Sequence, residues 1–156
     1  GEEGLLPRDK VRFRFYGNKI QSLINSNLEI KSAFYNHREK LSEVFSKISK
    51  NSLGRLNDIK KKIMKKTLIP TLGVTYKRLY FENNFQLRMT LDYGICYKKY
   101  LVKNNLVPII TATKYDTHHV AEVKGSGVKA DASILNSKMQ WQRFSKYSRG
   151  HIFYEV

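Results

Sequence analysis

Arg12 and Arg14 stand two residues apart in Lys-Val-Arg-Phe-Arg-Phe-Tyr (residues 10–16), and charges at the same spacing recur along the chain. Glu29 and Lys31 lie in Leu-Glu-Ile-Lys, Arg88, Thr90 and Asp92 in Leu-Arg-Met-Thr-Leu-Asp, and Glu122 and Lys124 in Ala-Glu-Val-Lys. Phosphoryl transfer asks little covalent chemistry of side chains. It asks for cations around the phosphate oxygens, a carboxylate-held divalent metal and in-line placement of the attacking oxygen. These segments carry the residue types: arginine forks for bidentate phosphate binding, lysines as point charges, and a carboxylate such as Glu122 for Mg²⁺ or Mn²⁺. Residues i and i+2 of a strand share a face, so Lys10, Arg12 and Arg14 lie on one side and Val11, Phe13 and Phe15 on the other. One such face is what a solvated edge strand looks like. Several of them, with cations in excess, describe a sheet curled around a polar interior that holds a polyanion.

The elements that must position these residues follow from turn signals and periodicity. Gly4 and Pro7 mark a leading loop, Gly17-Asn18 ends the first strand, and Leu28 to Phe34 is expected to pair with it as a hairpin. Arg12 and Arg14 would then flank Glu29 and Lys31. Leu41, Val44, Phe45 and Ile48 fall at i, i+3, i+4 and i+7, which predicts an amphipathic helix from about Asn36. Asn51 or Ser52 can cap a second helix with Leu56, Ile59 and Ile63 as its apolar stripe, ended by Pro70. Lys60, Lys61, Lys62, Lys65 and Lys66 crowd the rest of it and read as a solvated face, with a secondary role in drawing in an anionic substrate. Thr75 to Glu82 is a strand with Tyr76, Arg78 and Tyr80 on one side, joined by Asn83-Asn84 to a strand over Gln86 to Asp92. Tyr93 to Val102 and Val107 to Thr113 are two further runs. Pro108 confines its strand to an edge or to the strand's first residues. His119 to Lys124 is the last strand, and Asp131 is the N-cap of a short helix to about Gln140. Tyr76 and Tyr80 read as core, His118-His119 as structural or surface residues, and Cys96 as inert.

Composition bounds the partners. The 156 residues suit one domain. Twenty-nine Lys+Arg against 13 Asp+Glu give a formal charge of +16, which favours phosphate-rich partners such as nucleotides, polyphosphate, nucleic acid or an anionic membrane surface. Hydrophobic content of 41%, with ten Tyr and eight Phe, excludes a disordered basic tail. A single cysteine excludes an intrachain disulfide and a cysteine zinc cluster, which fits a reducing compartment. No apolar run approaches the roughly 18 to 20 residues that cross a bilayer, and the start lacks a signal-peptide pattern. The chain opens Gly-Glu-Glu-Gly and reaches a strand signal at once, so a truncated or processed chain is expected.

Lys10 to Gly17, Leu28 to Lys31, Tyr76 to Tyr80 (Tyr-Lys-Arg-Leu-Tyr), Leu87 to Asp92, Ala121 to Lys124 and Phe144 to Gly150 (Phe-Ser-Lys-Tyr-Ser-Arg-Gly) follow one another in an order that resembles the VTC domain. That domain is the polyphosphate polymerase branch of the triphosphate tunnel metalloenzymes, within the CYTH-like superfamily. Each motif alone is unspecific; six in order over nearly the whole chain are not. The resemblance implies an α+β fold, a tunnel-shaped antiparallel β-barrel with flanking helices, which moves the γ-phosphate of ATP to a growing polyphosphate chain with Mn²⁺ or Mg²⁺. It implies catalytic roles for Arg12, Arg14, Lys31, Arg88 and Lys146, substrate contacts for Lys10, Arg78 and Lys124, and metal ligation by Glu122 with Glu29. The family's opening strands, an early Glu/Lys-rich strand and a Tyr-Phe-Asp segment, have no counterpart here. Residues 1–156 are therefore expected to form a single VTC-like domain, incomplete at its N-terminus and prone to self-association.

The expected partners are ATP and polyphosphate, with no specific nucleic acid and no membrane span in this chain. Membrane-associated partner subunits stay open beside self-association. The expected location is cytoplasmic, with membrane association only through segments or partners outside this chain. Two other readings stand beside the polymerase: a tunnel-type triphosphatase, and a non-catalytic polyanion-binding module. A nucleic-acid binder rests on charge and aromatics alone, without an RNP, helix-turn-helix or zinc-finger pattern. Glu122 discriminates between enzyme and binder, because a pure polyanion binder gains nothing from a carboxylate facing phosphates.

Overall fold

The computed structural model describes residues 8–17, 22–34, 37–45, 54–84, 86–103, 106–125 and 144–154. The chain divides into two compact units, Gly1–Thr71 with Tyr100–Thr111, and Leu72–Lys99 with Ala112–Val156.

In the first unit, β1 (Arg8–Arg14), β2 (Asn27–Phe34) and β3 (His37–Val44) form an antiparallel sheet in that order. The alternation at residues 10–16 does what its period requires: Val11, Phe13 and Phe15 pack against a core of Leu23, Leu28, Ile30, Phe45, Leu56, Ile63 and Leu106. Phe13 meets Phe45 edge-on, with ring centroids 5.1 Å apart. Helix α1 (Gly54–Met64) covers this face through Leu56, Ile59 and Ile63. Polar side chains on the same face are tied to the helix. Arg55 reaches Asp9 and Glu39, and Lys60, fully buried, donates to Glu43 at 2.8 Å. Lys60 thus leaves the solvated lysine run to which its sequence context assigns it. The helix ends at Met64, ahead of Pro70, and in the turn after it Lys66 has a φ of 58°, which lets Thr67 and Leu68 donate back to the Lys62 carbonyl. The expected caps Asn51 and Ser52 lie outside the described residues.

The helix expected from Asn36 is a strand. β2 offers an antiparallel partner in unbroken register, from Asn27 opposite Val44 to Phe34 opposite His37. Leu41 and Phe45 are four residues apart, a spacing that satisfies a helical stripe and an alternating strand equally. Val44 separates the two periods, and it is 50% exposed. Ile48 lies outside the described residues.

In the second unit, β4 (Leu72–Glu82) pairs antiparallel with β5 (Arg88–Val102), which is bordered by β6 (Pro108–Tyr115) and by β7 (Val120–Lys124). The runs 86–92 and 93–102, expected as separate strands, are one. Their junction is absorbed by a register shift between Thr75 and Lys77 and by Gly94 at φ 59°, so the chain bends without stopping. Tyr100–Val102 and Pro108–Thr111 belong to the first unit. Pro108 opens its strand, where its missing N–H costs no ladder bond. Helix α2 (Lys146–Ile152), which periodicity does not announce, starts at Ser145, whose hydroxyl accepts from the Ser148 amide at 3.3 Å. The helix expected after Asp131 lies outside the described residues. The strands and two helices make a mainly antiparallel α+β fold, and no closed barrel is formed among the described residues. None of the described helices is long and apolar enough to cross a membrane.

Gly150 of α2 sits where a Cβ would come 2.7 Å from the Tyr97 ring and 2.8 Å from Leu72. Tyr97 is fully buried, packs on Phe153 with ring centroids 5.2 Å apart and donates its hydroxyl to Asp116, so it cannot swing aside. Gly150→Ala gains about 1 kcal/mol of helix propensity and loses about 1 to 3 kcal/mol to overpacking. A lower unfolding midpoint in urea is the expected outcome; a raised midpoint would show that the ring yields.

Candidate functional site

The first unit gathers its cations on the sheet face opposite the core. Cross-strand register sets Arg12 beside Glu29, and Lys10, Lys31 and Lys40 in one rung across β1, β2 and β3. Like charges directly opposite one another destabilise a sheet, so a rung of three lysines is a feature the fold alone would not favour. Glu29 lies at the floor of this face, its side chain 4% exposed. Arg12 donates from Nε to Glu29 Oε2 at 2.6 Å, and Arg14 and Lys40 approach Oε1 at 3.6 and 3.4 Å. Burial pushes the Glu29 carboxyl up, but the Arg12 hydrogen bond and the Arg12 and Lys40 charges outweigh it and hold the group below its ordinary range. Arg14 also lies over the Tyr16 ring, 5.0 Å from its centroid. Both Glu29 oxygens are thereby engaged by cations.

The second unit repeats the scheme. Pairing of β4, β5 and β7 puts Arg78, Tyr80 and Glu82, then Arg88, Thr90 and Asp92, then Glu122 and Lys124 on one face. Asp92 is buried and takes Arg78 in bidentate fashion, Nε to Oδ1 at 2.5 Å and Nη2 to Oδ2 at 2.8 Å, while Lys146 from α2 reaches Oδ2 at 2.5 Å. Burial raises the Asp92 carboxyl and these two cations lower it further than that, so it stays ionised; the same hydrogen bond raises Arg78. The Arg78 guanidinium lies near the rings of Tyr76 and Tyr80, and Lys146 over Tyr76. Tyr80 is 70% exposed and Tyr76 is also exposed, so these rings belong to the polar face and not to the core as their composition predicts. Arg88 lies directly opposite Lys124, and both line an open cavity of about 530 Å³ with Glu82, Gln86 and Gly125. Glu122 is half exposed, 3.3 Å from Lys124, opposite Thr90, whose buried hydroxyl has no hydrogen-bond partner.

The family model of the VTC domain matches residues 2–153. The chain belongs to the VTC domain family. Comparison with curated proteins and with solved structures finds no match. Membership supports a function related to polyphosphate. In this VTC domain the expected site residues fall into two groups: Lys10, Arg12, Arg14, Glu29 and Lys31 on the first unit's sheet, and Arg78, Arg88, Glu122, Lys124 and Lys146 on the second unit. Lys40 joins the first group and escaped the sequence reading because its segment carries a helical spacing. Asp116 is also new. Its fully buried carboxylate takes the Tyr97 hydroxyl at 2.9 Å, the Arg149 guanidinium and the His118 amide at 3.0 Å, and so docks α2, which carries Lys146. No local signal joins residues 97, 116, 118 and 149.

Whether the residues fit the divalent metal that the resemblance implies turns on the donor set. Among the described residues no group of three or more His, Cys, Asp or Glu converges as a closed metal cage. Mg²⁺ characteristically uses one or two carboxylates and completes its shell with water and substrate phosphates. The exposed Glu122 in a cationic face fits that mode.

The depressed carboxyls of Glu29, Asp92 and Asp116 link stability to pH. A group whose folded value lies below its unfolded value stabilises the fold above the unfolded value and loses that contribution as pH falls through the folded one. The unfolding temperature should therefore hold near neutrality and fall as pH drops below about 4. Glu29→Gln should cost about 1 to 3 kcal/mol at pH 7 and flatten the acid slope. An unchanged slope in this variant would show that Glu29 is not held by its cations.

Proposed function

We propose that this VTC domain is an ATP-dependent polyphosphate polymerase. The observation that carries the reading is a buried carboxylate beneath each cationic face, Glu29 in one unit and Asp92 in the other, holding arginine and lysine heads ready for phosphate oxygens. Lys10, Arg12, Arg14, Lys31 and Lys40 on the first unit, and Arg78, Arg88, Lys124 and Lys146 on the second, are the cations that would bind phosphate oxygens of ATP and of the growing chain. The terminal oxygen of the chain attacks the γ-phosphorus; that P–O bond forms as the bond to the β-γ bridging oxygen breaks, and ADP leaves with the electron pair. Charge spreads over the equatorial oxygens in this transition, and preorganised guanidinium and ammonium groups stabilise it without reorganising. Glu122 is the residue that would hold Mn²⁺ or Mg²⁺, and the ion would supply charge neutralisation for the phosphate oxygens. Glu29 serves this reading as the group that orients Arg12, Arg14 and Lys40.

Incubation with ATP and Mn²⁺ should yield long-chain polyphosphate, resolved on a gel, together with ADP. Arg12→Ala and Arg88→Ala should each reduce turnover roughly 30- to 1,000-fold, from a loss of about 2 to 4 kcal/mol of charge stabilisation. Glu122→Gln should abolish metal-dependent turnover while keeping or strengthening polyphosphate binding, because it removes a negative charge from a cationic face. Release of inorganic phosphate without polymer would make the protein a triphosphatase, and binding without turnover would make it a polyanion-binding module.

A further inference from the structure

The C-terminal end of α1 carries a second concentration of cations that the phosphate-binding faces do not use. Lys61, Lys62, Lys65 and Lys66 are all exposed, within six consecutive residues of the first unit. A helix C-terminus attracts cations, but its macrodipole amounts to about half a negative charge, and the exposed carboxylates of Asp58 and of Asp9, which feels the Lys62 charge, add two more. The four lysines exceed their sum. Lys66 also occupies a left-handed conformation, φ 58°, a position that favours glycine or asparagine. The turn around it is fixed: Thr67 and Leu68 donate to the Lys62 carbonyl, and Leu68 packs on the core. That turn sends the next residue outward, so Ile69 is 47% exposed and Met64, amid the lysines, 54%.

The chemistry of this patch differs from that of the sheet faces. There, arginine forks on buried carboxylates suit single phosphate groups. Here the cations are lysines, strongly hydrated point charges on long flexible stems, with exposed Met64 between them in the sequence and exposed Ile69 three residues beyond. A phosphate chain or a nucleic-acid backbone offers Met64 and Ile69 nothing to bury against. The boundary between headgroups and acyl chains of an anionic bilayer accepts both features at once. We infer that the C-terminal end of α1, with Lys61, Lys62, Lys65, Lys66, Met64 and Ile69, docks on an anionic lipid surface. Its charges meet the headgroups, and its two apolar side chains enter the interface. The inference does not depend on the polymerase reading.

Co-sedimentation of the whole chain with vesicles tests it, using phosphatidylcholine alone and phosphatidylcholine with phosphatidylserine. Binding should appear only with the anionic lipid and weaken with salt. Lys61→Gln/Lys62→Gln/Lys65→Gln, with folding checked by circular dichroism, should lower the partition coefficient on the order of 100-fold, at about fivefold per lysine. Met64→Ser/Ile69→Ser should lower it further without touching charge. No binding to anionic vesicles, or wild-type binding by the lysine variant, would overturn the assignment. So would an unchanged Met64/Ile69 variant, which would reduce the patch to plain electrostatics. A parallel titration with soluble polyphosphate separates the remaining occupant: an equal loss of polyphosphate binding in the lysine variant would make the patch a polyanion site instead of a lipid surface.

Discussion

Cations repel one another, and a sheet face that gathers them needs a counter-charge in its floor. Glu29 supplies it in the first unit and Asp92 in the second. Each is nearly sealed from water and each stays ionised because the cations above it outweigh the cost of burial. A buried carboxylate that loses its partners is expensive, so the pairing fixes both sides. The carboxylate cannot leave the cations, and the cations cannot disperse into solvent as surface lysines and arginines ordinarily do. Arg12, Arg14 and Lys40 are held from below and remain partly exposed above, which is the arrangement a polyanion requires.

The apolar sides of the same strands make this possible. Val11, Phe13 and Phe15 anchor β1 against the core, so the register that sets Arg12 beside Glu29 cannot slip by one residue without burying the arginines. Helix α1 locks that face twice, through Leu56, Ile59 and Ile63 and through the Arg55 and Lys60 ion pairs. In the second unit α2 plays a comparable part: Asp116 holds Arg149, Ser145 caps the helix, and Lys146 is delivered to Asp92.

Much of this was legible in the residues. The alternation at 10–16, the hairpin with 28–34, the apolar stripe of α1 and the charged faces of residues 88–92 and 122–124 appear in the structure where period-2 and period-3.6 patterns place them. What escaped depended on partners distant in sequence. Leu41 and Phe45 fit two periods, and only the presence of β2 alongside decides between them. Lys60 looks like its neighbours until Glu43, on another element, receives it. Tyr97, Asp116 and Arg149 meet through the packing of β5, the segment after β6, and α2, with nothing at any one position to announce it. Residue type also leaves a carboxylate's partners undetermined: Glu29 is as suitable for a metal as for the cations that surround it.

The proposed function makes Glu29 an organiser of cations and not merely a contribution to net charge. The affinity of folded Glu29→Gln for polyphosphate, measured against the unmodified chain at one fixed ionic strength, tests it most directly. The substitution makes the face more positive, so net charge alone requires tighter binding. The account predicts weaker binding, because Arg12, Arg14 and Lys40 lose the carboxylate that holds them together; equal or tighter binding would contradict it.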